Sequence, residues 1–300
     1  MKRINELPNY IYGTTRLGDE SLPLADRLAI ALEAMQKCTW FHASDQYGSA
    51  LSILAEAIKQ KPLSIPKMIF KLEAERIEDF RDVITRNIGP LGVDHMDIGQ
   101  LCLRNRRPED FVEGSKGFDE FSAIRQEGLV KQYIMEIFPW TSGVALKALK
   151  MGCMENLVDG FIFYFNPLQR FALNDLWDEI ESRRIPVIAM RTVCGNDVLA
   201  LRDVPGAAWK EYIQQRAVEI APIFAQSGVE DWSAFCVRFA QSQPLVQATV
   251  GSTAHSQNLA KFLDAAKVRD PLPASVLNDI NYLQKNWSAQ FDYFAEPWSM

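Results

Sequence analysis

The sequence predicts a (β/α)₈ barrel, and three observations carry that prediction. Short apolar runs of β character alternate with amphipathic stretches of helical spacing, eight of each, over about 250 residues, the usual span of such a barrel. Polar or reactive side chains follow these apolar runs at nearly every carboxyl end. The turn after the first run, Gly13-Thr14-Thr15-Arg16-Leu17-Gly18, lacks the G-x-G-x-x-G spacing that an open, doubly wound dinucleotide-binding sheet calls for.

The first strand is Tyr10-Ile11-Tyr12, ending at Gly13. Leu24 to Met35 follows as a helix, with Leu24, Leu28, Ala31, Leu32 and Met35 mostly three and four apart. Thr39-Trp40-Phe41 is the second strand and Leu51 to Ile58 its helix. Met68-Ile69-Phe70 then precedes a helix over Ile77 to Ile88, and Met96-Asp97-Ile98 with Leu101 precedes one over Phe118 to Arg125. Tyr133-Ile134-Met135 pairs with Val144 to Met151, and Phe161 to Tyr164 with Phe171 to Ile180. Val187 to Met190 leads to a helix over Ala207 to Phe224, and Val246 to Val250 to one over Ser256 to Ala266. The chain is thus expected to form one domain over 1–300, with a barrel core at about 10–266. The remainder, about 267–300, reads as a helix near Ser275 to Lys285 and an aromatic tail carrying Tyr282, Trp287, Phe291, Tyr293, Phe294 and Trp298.

Composition narrows the function classes. With 32 basic and 38 acidic residues the net charge is −6, and no basic patch of phosphate-neutralising size is present, so nucleic acid is not an expected partner. No apolar run approaches the roughly 18 residues of a membrane helix. The opening Met1 to Pro8 has charge but no apolar core or cleavage site of a signal peptide. Five scattered cysteines without a C-x-x-C pair point to a reducing, cytoplasmic location. Three histidines without ligand spacing give no metal site.

In a closed parallel barrel, chemistry gathers where the strand carboxyl ends meet the βα loops. Those ends carry His42 followed by Asp45-Gln46-Tyr47-Gly48, then Lys71, Cys102, Glu136, Asn166, Arg191 and Ser252-Thr253. In their order and spacing, the stretches Tyr12–Gly18, Phe41–Gly48, Met68–Lys71, Leu91–Ile98, Phe163–Leu168 and Ile185–Met190 resemble the aldo-keto reductases. The similarity spans most of residues 10 to 266.

That resemblance implies reduction of a small carbonyl substrate, or the reverse oxidation, with NADP or NAD. Tyr47 matches the family's catalytic tyrosine and Lys71 its catalytic lysine. Thr14, Glu136, Asn166, Met190, Arg191, Ser252, Thr253 and Gln257 fall where the family binds its cofactor. The departures are equally specific. His42 stands at the position of the tetrad's Asp, and Cys102 at that of its His. Glu136-Ile137 aligns with the Ser-Asn pair that grips the nicotinamide carboxamide, and Ile162 with the Gln that joins it.

The residue chemistry leaves several roles open. A tyrosine of ordinary pKa, about 10, exchanges protons poorly at neutral pH, and a lysine beside it favours the phenolate. A partly buried Lys71 needs a carboxylate, for which Glu136 and Asp45 are the candidates. Cys102 is either a small apolar filler or, beside Lys71 or a protonated His42, an ionised nucleophile. His42 is either a hydrogen-bonded occupant of the vacated Asp space or an acid–base group. The turn Val250 to Gln257 either cradles a phosphate, with His255 and Lys261 as cations, or is plainly capped by Thr253 or Ser256. Three functions follow: a divergent nicotinamide-dependent oxidoreductase, a barrel enzyme with nicotinamide-independent acid–base or thiol chemistry, or a non-catalytic barrel that binds a ligand or partner.

Overall fold

The computed structural model describes residues 4, 7–103, 106–152, 154–195, 197–201, 210–268 and 270–290. Its strands are β1 (Tyr10–Gly13), β2 (Trp40–Ala43), β3 (Lys67–Leu72), β4 (Met96–Cys102), β5 (Val130–Ile137), β6 (Gly160–Asn166), β7 (Gln169–Arg170), β8 (Val187–Met190) and β9 (Val246–Gly251). All pair in parallel except β7, a short antiparallel ribbon on β6. Hydrogen bonding runs β5-β4-β3-β2-β1-β9-β8-β6, and β5 also pairs with β6, so the eight parallel strands close into a barrel. The helices are α1 (Leu24–Lys37), α2 (Ala50–Gln60), α3 (Phe80–Ile88), α4 (Lys116–Gln126), α5 (Ser142–Lys150), α6 (Asn174–Arg183), α7 (Lys210–Gln226), α8 (Trp232–Gln241), α9 (Ser256–Lys267) and α10 (Ala274–Ala289).

Side chains alternate across a strand, and partners in register share a face. Ile69, Ile98, Ile134, Ile162 and Ile188 fall on one such face and are fully buried. The alternate residues include Phe161, Phe163 and Phe165. Phe163 and Phe165 meet Trp177 of α6, and Phe165 also meets Phe239 of α8. The isoleucines therefore fill the barrel, and the aromatics bond strand to helix. Buried tyrosine hydroxyls reinforce the β1–β9 seam: Tyr10 donates to the Gly251 carbonyl at 2.8 Å and Tyr12 to that of Thr253 at 2.7 Å.

Two expectations from periodicity need correction. Phe171 does not start a helix: its N–H donates to the Tyr164 carbonyl at 3.1 Å, continuing the β6–β7 ribbon, and α6 begins at Asn174. The ribbon stacks Phe171 on Tyr164 with ring centroids 4.5 Å apart, so its apolar character serves a tertiary contact. Between β8 and β9 the described residues form two helices rather than one. α8 is capped by Asp231, whose carboxylate accepts from Ala234 N at 2.8 Å, and it packs on β9, β6 and α9. That is the position expected of the helix preceding the last strand, while α7 packs on α10. Residues 207–209 of the expected seventh helix, and the tail aromatics beyond 290, lie outside the described residues.

The loop that carries Tyr47 is fixed by a close backbone approach. A Cβ on Gly18 would sit 1.7 Å from the Tyr47 carbonyl oxygen. Gly48, with φ of +52°, is held in the left-handed region and lies against the Gly18 carbonyl. Gly18→Ala is expected to push this loop outward at a cost of about 3 kcal/mol, the upper part of the range for overpacking. Urea unfolding measures it; an unchanged midpoint would show that the loop yields freely.

Candidate active site

His42 on β2 reaches past β3 to Gln100 on β4, Nε2 to Oε1 at 2.6 Å, so these side chains point into the barrel. Register carries Lys71, paired with Gln100, and Cys102, paired with Glu136, onto the same face. The upper layer of the barrel is therefore polar, above the isoleucine layers. Tyr47 leans in from the β2 loop, its ring centroid 6.0 Å from that of His42. The structure thus brings together His42, Tyr47, Lys71, Cys102 and Glu136.

Two further members, Glu73 and Gln100, escaped the sequence reading. Lys71 Nζ lies 3.2 Å from Glu73 Oε2 and 3.7 Å from Glu136 Oε2. Asp45, the other candidate partner for Lys71, instead pairs with Arg86 at 2.9 Å. Both missed residues carry a signal. Each stands two positions from a recognised site residue on the same strand or just past its end, where alternation returns the side chain to the same face.

Burial, the largest influence on Lys71, works to lower its pKa, but Glu136, Cys102, Tyr47 and Glu73 together hold it above the usual lysine value. The ammonium stays charged. Burial pushes the Tyr47 phenol up; Lys71 pulls the other way, and Glu136, Tyr164 and Cys102 add to the rise. Tyr47 therefore remains a protonated donor. Cys102 is likewise driven up, by burial first and then by Glu136, to whose Oε2 its thiol donates at 2.9 Å. A thiol held in this way is a hydrogen-bond donor rather than a thiolate nucleophile. Burial lowers the pKa of His42, more than its Gln100 bond and Glu136 restore, leaving a neutral imidazole at neutral pH.

Most of the residues that the resemblance aligns with cofactor binding have partners within the protein. Thr14 Oγ1 donates to the His42 carbonyl at 3.1 Å. Asn166 is fully buried, with Nδ2 donating to Gln169 and to the Arg191 carbonyl and Oδ1 accepting from Leu168 N. Met190 is buried beside it. Arg191, with φ of +45°, places its guanidinium 4.7 Å from the centre of the Tyr164 ring, which also stacks on Phe171. Ser252 Oγ accepts from Arg16 N at 2.9 Å, and Thr253 Oγ1 from His255 N at 3.1 Å. Gln257 is exposed in the first turn of α9. Ser256 donates to the Glu33 carboxylate, placing an anion at that helix N-terminus, and Lys261 pairs with Asp231 at 3.2 Å. By the resemblance, a nicotinamide carboxamide would lie against Glu136 and Ile162 rather than amide partners, and a phosphate at the α9 N-terminus would lie near Glu33. The residues present do not fit that cofactor in the family's manner.

No family model and no curated protein matches the sequence. Among solved structures, the chain is similar to the aldo-keto reductase AKR11C1 from Bacillus halodurans in its holo form. The TM-score is 0.68 at 16% identity, over 92% of this chain and 91% of that one. The fold is that of an aldo-keto reductase. In that fold Tyr47 and Lys71 stand at the barrel mouth, beside His42, Cys102 and Glu136. Among the described residues, no cluster suits a metal ion and no helix is long and apolar enough to cross a membrane.

Burial of neutral His42 makes stability depend on pH. The unfolded chain binds a proton near the free value of about 6.5, which the folded protein resists because its own value is lower. Stability is therefore full above about pH 6.5 and falls as pH drops below it, by at most about 1.4 kcal/mol per pH unit for one group. Urea midpoints between pH 7.5 and 5.5 are expected to fall less steeply for His42→Gln than for the parent protein; equal slopes would show that His42 protonates freely in the fold.

Proposed function

We propose that the barrel mouth is a proton-transfer site for a small uncharged carbonyl compound, with Tyr47 as the acid and no nicotinamide. One observation supports this most directly. The Glu136 carboxylate stands at the position of the carboxamide-binding pair and is engaged by Lys71 at 3.7 Å and by the Cys102 thiol at 2.9 Å.

Tyr47 is partly exposed, and no group among the described residues accepts from its hydroxyl. It is placed to donate to a substrate oxygen, with Lys71 stabilising the phenolate that forms. Glu73, whose side chain is 15% exposed against 3% for Glu136, is the more accessible carboxylate and the candidate base for a proton next to the carbonyl. Among the described residues one ammonium, Lys71, faces two carboxylates, which favours an uncharged substrate over an anion. A small-molecule substrate agrees with the aldo-keto-reductase fold.

The second reading, reduction of a similar carbonyl with NADPH or NADH, draws on the retained Tyr47 and Lys71. Titration with each nucleotide, followed by quenching of the seven tryptophans, separates the two. We expect no saturable quenching up to millimolar nucleotide; micromolar binding would overturn the proposal in favour of the reductase. A panel of small ketones and aldehydes in D₂O, followed by NMR, then reports exchange of the protons next to the carbonyl. Tyr47→Phe is expected to lower that exchange by about 10²-fold or more, the usual contribution of a positioned acid. No exchange with any panel member, together with no nucleotide binding, would leave a ligand-binding barrel without catalysis.

A further inference from the structure

In the polar layer at the barrel mouth, Gln100 is only half satisfied. It is fully buried on β4, in register with Lys71, and its Nε2 has no partner among the described residues. Its Oε1, by contrast, lies 2.6 Å from His42 Nε2. A buried amide N–H left unmade is costly, and an apolar side chain of similar shape avoids that cost. What the amide does in return is fix the proton on its neighbour.

A neutral imidazole carries one proton, and the ring nitrogen that faces a carbonyl oxygen holds it. Burial keeps His42 neutral. With Oε1 as the acceptor the proton sits on Nε2, and Nδ1 is left as a lone pair. Among the described residues, nothing donates to Nδ1. Nor is it sealed off: the 2% exposure that His42 keeps lies above a layer of Ile69, Ile98 and Ile134 at 0%.

The Tyr47 ring stands 6.0 Å from that of His42, so a donor and an acceptor are neighbours at the mouth. One small molecule can bridge them, each of its oxygens about 2.8 Å from its partner. A carbonyl oxygen takes the Tyr47 proton. The group that meets Nδ1 must bring a proton of its own, which a plain ketone lacks and a hydroxyl on the adjacent carbon supplies.

We infer that the mouth takes a carbonyl compound with a hydroxyl on the next carbon and interconverts the two groups, His42 Nδ1 accepting the hydroxyl proton and Gln100 positioning His42 for it. The inference rests on the proton-transfer reading above, with Tyr47 as acid and Glu73 as base at carbon, and adds the substrate class and the outcome. Tyr47 protonates the carbonyl oxygen while Glu73 removes the proton from the hydroxyl-bearing carbon, and that C–H electron pair becomes the double bond of an enediol. His42 then takes the hydroxyl proton and the O–H pair forms the new carbonyl. The double-bond pair picks up the proton from Glu73 at the former carbonyl carbon. His42 returns its proton to the Tyr47 phenolate, which resets the site. One carbon is oxidised and its neighbour reduced, so no co-reactant is consumed.

The test uses the full chain at pH 7.5, with glyceraldehyde and dihydroxyacetone as hydroxylated probes and acetone as the plain one. Each is followed by proton NMR in D₂O against a protein-free control. We expect the hydroxylated pair to interconvert, with deuterium entering at carbon. His42→Gln is expected to slow this about 10²-fold or more, the contribution of a positioned base. Gln100→Leu is expected to slow it about tenfold, the worth of one hydrogen bond. Long-range ¹H–¹⁵N spectra of histidine-labelled protein give a readout without turnover, with His42 assigned by its loss in His42→Gln. They are expected to show Nε2 protonated and Nδ1 bare in the parent, and the proton shared between both nitrogens in Gln100→Leu. A proton on Nδ1 in the parent overturns the assignment, as does an undiminished rate in Gln100→Leu. Deuterium exchange into acetone without interconversion of the hydroxylated probes overturns this inference and leaves the proton-transfer reading standing. Absence of both overturns the two together.

Discussion

The upper layer of the barrel is organised by one buried ammonium. Lys71 sits among strands whose remaining inward side chains are largely apolar, where an unpaired charge would cost several kcal/mol. Glu73 and Glu136 make the charge tolerable, and neighbouring groups take their state from that trio. Tyr47 would lose its proton more readily beside a lone lysine; with Glu136 near, the attraction is offset and the phenol stays intact. Cys102 has a carboxylate to donate to and little reason to ionise. His42 turns away from the charges toward Gln100 and remains neutral.

The barrel was legible in the sequence because parallel strands buried on both faces read as short apolar runs, and their helices as spaced apolar positions. All eight barrel strands fall where those runs do. What periodicity could not separate was Phe171, apolar for the sake of a stack on Tyr164 rather than of a helix face. α8 was missed for a related reason: Phe235, Cys236, Val237, Phe239 and Ala240 are all buried, so its apolar positions do not trace a narrow stripe. Asp231 ahead of that run was the readable signal, since its side chain caps the helix.

The site was legible in part. Tyr47, Lys71, His42, Cys102 and Glu136 fall at strand ends or in the adjoining loop and meet at the mouth. Their relations were less accessible, because a strand end gives position but not partner. Nothing in the sequence says that Asp45 turns outward to Arg86 while Glu73 turns in, a choice settled by the pleat and by Asn87, whose side chain accepts from the Asp45 N–H at 2.9 Å.

The two departures that the resemblance to the aldo-keto reductases implies can be read from one charge balance. On β2 the inward side chain near Lys71 is His42, whose neutral imidazole cannot balance the ammonium. The charge must then be balanced from β3 and β5, and the inward position at the end of β5 that reaches Lys71 is Glu136. By the resemblance, that position also falls where the family holds the nicotinamide carboxamide. A carboxylate spent on an ammonium and a thiol offers no amide-like pairing there, so balancing the lysine and gripping a nicotinamide compete for one side chain. Placing an aspartate at position 42 while keeping Glu73 and Glu136 would put three carboxylates around one ammonium. On that reading, charge balance around Lys71 links position 42 to Glu136.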